Sequence, residues 1–493
     1  MTGTLEVELK LELDPGDRSR LDLIDLFGAG GATDHLVTTY FDTPGGDVRN
    51  AGCALRIRQQ GEARVQTIKA AKDKATGLFT RTEWSRAVTG DRPVLDATSG
   101  PFGPALRAIG VDRLTPQIVS DFHRTHGLID RDGGEIEWAV DEGAIRAGGS
   151  VAPLCEIELE LRRGPPGLLF DLAHRIADRL PVRIAVISKA ERGYRLLDQT
   201  AGSPARAEPV ALDRGATVAA AFPAIAHACL RQFRLNEPLV LAAGEAEPVH
   251  QARVALRRLR TALWLHRPLF AGDPQAASLD TELRWLTARL GEVRNLDALI
   301  PRADPDLGER LRAAREQALA ALQADLASAR ARLAMIQVVE WLTVGAWRTR
   351  PQDPALLAET IVPFAADALD ALRKRLKRRG KRLAELGSKK RHKVRITAKK
   401  LRYASEFFAM LFPSPKAARR QAAFRDAVSA LQDCLGELND LDLERRVLER
   451  VGIDPGKRHL HRKRRAKLLR HAEHAYDELI AAKRFWRGQA ISA

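Results

Sequence analysis

The segment Glu6-Val7-Glu8-Leu9-Lys10 alternates charged and apolar residues without a break, and its charged set holds two acids and a base. Successive side chains of a strand point to opposite faces, so Glu6, Glu8 and Lys10 share one face and Val7 and Leu9 the other. The alternation returns in Ala54-Leu55-Arg56-Ile57-Arg58, in Thr67-Ile68-Lys69 and in Cys155-Glu156-Ile157-Glu158-Leu159-Glu160-Leu161. One such strand reads as a solvated strand face. Several, each with one charged and one apolar face, predict a barrel turned inside out: a lumen lined by both signs of charge, and an apolar exterior covered by helices or by itself. Clustered carboxylates beside clustered bases suit a divalent cation bound together with a polyanion, which is a site for phosphate chemistry.

The charge is unevenly spread. Residues 1–200 hold 26 Lys+Arg against 30 Asp+Glu, whereas the remainder of the 493 residues carries a net +21. A C-terminal half so basic points to a polyanionic partner: nucleic acid, an anionic membrane surface or polyphosphate. Cys53, Cys155, Cys229 and Cys434 have no spacing for zinc or paired disulfides, which together with a charged N-terminus predicts a cytoplasmic setting. No apolar run approaches the ~20 residues of a membrane span.

Residues 1–200 are punctuated by turn signals such as Thr43-Pro44-Gly45-Gly46 and Asp132-Gly133-Gly134, the composition of an antiparallel β domain. A small-residue linker over 201–212 leads into Ala/Leu/Arg/Glu-rich helices, which the pattern places near 215–235, 248–270, 279–299, 306–347, 355–386, 390–412, 417–450 and 457–484. This half repeats itself. The run His250-Gln251-Ala252-Arg253 aligns with His392-Lys393-Val394-Arg395, and Leu290-Gly291-Glu292 with Leu435-Gly436-Glu437. Eight helices in two copies predict two four-helix bundles. Steps of 3, 4 and 3 put His250, Arg253, Arg257 and Arg260 on one helix face, and His392, Arg395, Lys399 and Arg402 on another. Rows of cations without interleaved acids repel themselves, and a bound linear polyanion relieves that. Protonation of the two histidines near their ordinary pKa of about 6.5 would strengthen such binding.

Together these features resemble a CYTH domain, of the triphosphate tunnel metalloenzymes, followed by a CHAD domain. The motifs that carry the likeness are Glu6-x-Glu8-x-Lys10, Tyr40-Phe41-Asp42-Thr43, Leu55-Arg56-Ile57-Arg58, Thr67-Ile68-Lys69, Arg81-x-Glu83, Phe122-x-Arg124, Asp141-Glu142-Gly143, Glu156-x-Glu158-x-Glu160 and Ser188-Lys189-x-Glu191-Arg192, then the two histidine-led helices. The resemblance implies an α+β chain: an eight-stranded antiparallel tunnel over 1–200, the linker 201–212, and an all-α domain of two pseudo-repeated four-helix bundles over 213–490. It implies an inorganic triphosphatase that cleaves tripolyphosphate to pyrophosphate and phosphate with Mg2+ or Mn2+. Glu6, Glu8, Glu156 and Glu158 are the implied metal ligands, and Glu6, Glu8, Lys10 and Glu158 the catalytic set. Lys10, Arg56, Arg58, Lys69, Arg81, Arg124, Arg183 and Lys189 would hold phosphate oxygens. Glu160 would stand behind the ligands, and Tyr40 and Asp42 would be structural. The helical domain would bind long-chain polyphosphate through the two histidine-led rows, which fits a cytoplasmic protein associated with polyphosphate granules.

Other readings stay open: a hydrolase or cyclase for an organic triphosphate (thiamine triphosphate, a nucleoside triphosphate), or a polyphosphate-binding protein without catalysis. A nucleic-acid module is disfavoured, because the basic rows lack interleaved aromatics and no helix-turn-helix or RRM signature is present.

Overall fold

A computed structural model of the chain describes residues 4–21, 23–28, 31–70, 78–96, 102–351, 353–450 and 462–487. The described residues form two compact units. The first joins the chain up to Ala205 with Arg234–Ala243 and Ala324–Gly345; the second holds Arg206–Phe233, Gly244–Gln323 and the residues from Ala346 onward.

The strands of the first unit are β1 (Thr4–Glu12), β2 (Ala32–Asp42), β3 (Cys53–Gln60), β4 (Ala63–Ala70), β5 (Leu78–Ala87), β6 (Thr115–Arg131), β7 (Gly134–Ala147), β8 (Ser150–Arg163) and the short β9 (Arg183–Ile184). They run β5-β4-β3-β2-β6-β7-β8-β1-β9, and β5 also pairs with β1, so eight antiparallel strands close on themselves as the alternation demands. Two tight hairpins set the register. Asp132 and Gly133, and Gly148 and Gly149, all have positive φ, the backbone that two-residue hairpin turns need to follow the twist of their strands.

Opposed residues of paired strands point the same way, so the pairings trace the inner wall. Lys10 faces Glu158, Glu8 faces Glu160, Asp141 faces Glu156, Tyr40 faces Arg56 and Lys69 faces Glu83. The other parity is apolar: Leu9, Leu11, Ile157 and Leu159 are fully buried on the outside. The helices of this unit include α1 (Leu23–Phe27), α2 (Asp47–Asn50), α3 (Gly103–Ile109), α4 (Gly167–Arg179) and α5 (Lys189–Leu197). Helix α4 lies against β1 and β8, while Phe27 of α1 stacks on Trp138 of β7 at 4.4 Å.

Helix α5 does something else. Ala190 and Leu196 pack with Leu36, Tyr40, Ile118, Phe122 and Leu154, residues of the lumen parity, so α5 fills one end of the barrel. Gly193 permits the approach, since a Cβ there would meet Ile118 at 2.3 Å. Ser188 caps the helix through the Glu191 N–H, which leaves Lys189 at the first turn pointing into the charged section.

The long helices are α6 (Val218–Ala242), α7 (Ala246–His266), α8 (Pro274–Leu299), α9 (Pro305–Ala327), α10 (Ala329–Val344), the short α11 (Ala346–Thr349) and α12 (Pro354–Ala358), then α13 (Ile361–Arg379), α14 (Ser388–Phe407), α15 (Pro415–Arg450) and α16 (Arg462–Ala481). The single helix expected over 306–347 is two, because Ser328 leaves the helical backbone and caps α10 by accepting from the Ala331 N–H. Helix α10 belongs to the first unit, where it packs on α4 and β9 and Glu340 holds His174 at 2.8 Å. In the second unit the two histidine-led helices α7 and α14 pack on each other, α7 on α8, and α14 on α15. No described helix is long and apolar enough to cross a membrane.

Candidate active site and polyanion surface

The charged section of the barrel contains two groups of acids in different electrostatic states. Asp141, Glu156 and Glu158 bring carboxylate oxygens within 4.8 Å of one another. Three cations already serve this group. Lys189 lies 2.6 Å from Asp141 and 2.9 Å from Glu158 and also bonds Glu156; Arg124 grips Asp141 through two bonds of 2.7 Å and reaches Glu158 at 2.5 Å; Lys10 donates to Glu158. Burial alone would raise Glu158, but Lys10, Lys189 and Arg124 outweigh it and hold the carboxylate well below its ordinary range. Burial likewise opposes the charge on Lys10, yet Glu158 and Glu8 keep the ammonium above its usual value. Charged groups this deep persist only when paired in this way.

The second group is Glu6, Glu8 and Glu160. Burial, then Glu6, push Glu160 up to about 7; Glu137 and Glu8 add to the rise and Arg162, at 2.6 Å, offsets part of it. Here like charges crowd, and a divalent cation would relieve them. Asp141, Glu156 and Glu158 could take the same ion only by displacing Lys189 and Lys10. An all-carboxylate donor set of this kind fits Mg2+ or Mn2+. The four ligands implied from sequence therefore do not gather at one point. Glu156 and Glu158 stand with Asp141, Glu8 lies 3.2 Å from Lys10, and Glu6 lies 2.8 Å from Lys69, which also binds Glu83 at 2.7 Å.

The facing wall is basic without acids of its own. Burial, then Arg56 and Arg124, lower Arg58 to about 10, and its Nε–H donates to the Thr38 hydroxyl at 3.4 Å. Burial opposes charge on Arg56 too, but Tyr40 and Glu83 hold it above the usual range. Burial would raise Tyr40, yet Arg56, Lys189 and Arg58 bring its phenol below the ordinary value. Tyr40 is thus a lumen residue facing phosphate-binding candidates, which its strand parity opposite Arg56 could have shown. Asp42 is structural: it accepts from the Thr43, Val48 and Arg49 N–H groups and from the Tyr194 hydroxyl.

One of the expected phosphate ligands, Arg183, stands apart. It lies on β9 opposite Glu12, beyond the acids, with Glu237 at 3.9 Å. Arg81 lies opposite Glu6 in β5, and its side chain falls outside the described residues.

In the second unit, α7 and α14 bring their rows together. Burial, then Arg257, lower Arg253 to about 10, with Arg395 and Arg294 adding to the effect; burial, then Arg257, Arg395 and Arg253, lower Lys399 to about 5. The ends of the rows are engaged elsewhere, Arg260 with Asp280 and Arg402 with Glu406, at 2.9 and 2.8 Å. The repeated motifs meet as well. Arg294 donates to His250 at 3.2 Å, and the equivalent Asn439 lies 3.3 Å from His392. Burial and Arg294 lower His250, so its protonation needs a more acid medium than an ordinary histidine requires.

Family models agree with this architecture. A CYTH domain matches residues 4–194 and a CHAD domain residues 224–449. The chain is a CYTH–CHAD protein. An inorganic triphosphatase of Haemophilus influenzae is 30% identical over 195 residues, covering 39% of this chain and 54% of the relative, so the CYTH–CHAD chain spans about half the length of that curated protein. The CHAD domain of the plant Ricinus communis is 29% identical, with a TM-score of 0.46, over 58% of this chain and 98% of its own. A Hippeastrum protein described as having a dominant triphosphatase activity is 20% identical, with a TM-score of 0.29, over 39% of this chain and 96% of its own.

Proposed function

We propose that the CYTH domain hydrolyses inorganic tripolyphosphate to pyrophosphate and phosphate with Mg2+ or Mn2+, and that the CHAD domain binds long-chain polyphosphate. The observation that supports the first part is the charged lumen: the Arg56–Arg58 wall faces acids of which Glu158 is held well below the ordinary carboxylate range and Glu160 is pushed up to about 7. Glu6, Glu8 and Glu160 would draw together on the cation, and Glu158, which shares Lys10 with Glu8, would stand beside them. The bound ion supplies neutralisation of phosphate oxygens and a Lewis-acid site for water. Arg56 and Arg58 hold the phosphate chain through charge-assisted hydrogen bonds. Glu158, kept ionised by its three cations, orients the attacking water, and Lys10 and Lys189 fix that carboxylate. Phosphoryl transfer asks for little more than such positioning and charge stabilisation.

The experiment is phosphate release from tripolyphosphate, ATP, thiamine triphosphate and long polyphosphate, each with Mg2+ and with Mn2+. Preference for tripolyphosphate supports the reading; a nucleotide preferred at equal concentration replaces it with an organic triphosphatase. Arg56→Ala combined with Arg58→Ala should lower kcat/KM by at least about a hundredfold, since each charged contact is worth ~1.5–3 kcal/mol. Lysine at both sites should recover part, because the bidentate geometry is lost. Unchanged kinetics would remove β3 from the site.

Binding by the helical unit rests on the facing Arg253, Arg257, Arg395 and Lys399. Reversing all four to glutamate should sharply weaken polyphosphate binding by the full chain while tripolyphosphate turnover persists. The parent's affinity should fall steeply with salt as condensed counterions are released, a rule for nucleic acids extended here to another polyanion. Equal affinity for duplex DNA of matched charge would reduce the surface to a generic basic face.

A further inference from the structure

Helices α7 and α14 are copies, and two of their equivalent positions make crossed contacts. Eight residues after each histidine stands a base, Arg258 in one copy and Lys400 in the other; fourteen residues after stand Trp264 and Glu406. The base of the first copy meets the later position of the second, where Arg258 donates to Glu406. The base of the second copy meets the later position of the first, with Lys400 Nζ 3.6 Å from the centre of the Trp264 ring. The pseudo-symmetry thus breaks at one residue. An indole stands where the other copy has a carboxylate.

The consequence is a cluster of unneutralised charge. The Arg267 and Arg375 guanidinium carbons lie 4.8 and 5.3 Å from the same ring. Arg260 and Arg379 also act on Lys400, which burial, then Arg375, lower to about 8. Within this set Arg260 has an acid, Asp280, whereas Arg379 bonds the Thr397 hydroxyl and Arg267 the Trp264 carbonyl. Among the described residues, no carboxylate is within ion-pair reach of Lys400, Arg267 or Arg375. A ring face attracts cations but carries no net charge to cancel theirs. Trp264, Lys400 and Arg375 are half-buried and Arg267 is exposed, so a solute can reach them.

We propose that the cluster around Trp264 is a second anion site, for phosphate groups of a polyphosphate chain, separate from the Arg253–Arg257–Arg395–Lys399 group. It deepens the polyanion reading of the CHAD domain and takes its ligand class from it. The indole holds the cations in place without satisfying them, and the arriving oxyanion supplies the charge that Glu406 supplies to Arg258.

The test uses the full chain in EDTA, so that hydrolysis is silent, with inorganic polyphosphate as probe. Calorimetry reads total binding, and acetylation of Lys400 followed by peptide mass spectrometry reads occupancy of this site. Polyphosphate should protect Lys400 in the parent. Trp264→Glu restores the symmetric ion pair, so it should fold and need about tenfold more polyphosphate for the same protection. Trp264→Phe keeps the ring and should protect as the parent does. Arg253→Glu with Arg257→Glu should weaken total binding yet leave Lys400 protected and still sensitive to Trp264→Glu. Unchanged protection in Trp264→Glu, or protection abolished by Arg253→Glu with Arg257→Glu, overturns the second site. Binding by the parent without protection of Lys400 overturns it and leaves the wider polyanion reading standing; no binding at all ends both.

Discussion

Glu8→Gln together with Glu160→Gln is expected to cut metal-dependent phosphate release by on the order of 10^2–10^3-fold, the scale of losing a charge stabiliser of the reacting centre. Glutamine keeps the shape and removes the charge, so circular dichroism should be unchanged. Burial and its acidic neighbours hold Glu160 protonated up to about 7. A carboxyl must lose its proton to bind a metal, so affinity for Mg2+ or Mn2+ should climb as pH rises through about 7. The stability sign follows from the same shift. Between the ordinary glutamate pKa near 4.5 and about 7, the folded protein holds a proton that the unfolded chain has lost. Metal-free stability should therefore fall with rising pH across that window, and added metal should restore it. The checks are phosphate release against metal concentration at several pH values and thermal melts with and without metal. Parental turnover in the double variant would place the cation elsewhere, at Asp141, Glu156 and Glu158.

Lys189→Met is expected to destabilise the protein by about 3–5 kcal/mol at neutral pH, because removing one partner from a buried ionic network strands the others. Lys189 is 6% exposed and serves three carboxylates, Asp141, Glu156 and Glu158. Methionine fills most of the stem's volume, so charge rather than packing carries the change. Burial opposes the ammonium, but Asp141, Glu156 and Glu158 raise its pKa far above the usual lysine value. That contribution is complete below about 10.4 and would be lost only in strong alkali. In the variant, the stranded carboxylates should protonate more easily, so its deficit should shrink as pH falls from neutral towards about 4.5. Urea denaturation at pH 7 and at acid pH measures both parts. A deficit under about 1 kcal/mol at pH 7 would mean that Asp141, Glu156 and Glu158 do not depend on this lysine.

Much of the barrel was legible because strand parity is a local property. Glu6, Glu8 and Lys10 share a face by covalent geometry alone, and Asp132-Gly133 announces its hairpin through the positive φ that both residues adopt. The helical repeat was equally plain, since His250 and His392 open matching rows and each histidine finds the equivalent residue of the second motif. What each carboxylate is for was not legible. Glu158 and Glu160 stand two residues apart on one strand with identical chemistry. One is held well below the ordinary carboxylate range and the other is pushed up to about 7. That difference is made by Lys10, Lys189 and Arg124, which come from β1, α5 and β6, and a sum of long-range charges has no local signature. Asp141 joined the site, and Arg183 stood apart from it, for the same reason. The passage of α10 into the first unit was also a tertiary matter, whereas the break after Ala327 has a local signal in the Ser328 cap. Sequence determined which faces are charged, because alternation follows from the backbone; the fold decided which charges are neutralised, because only packing fixes which of them are neighbours.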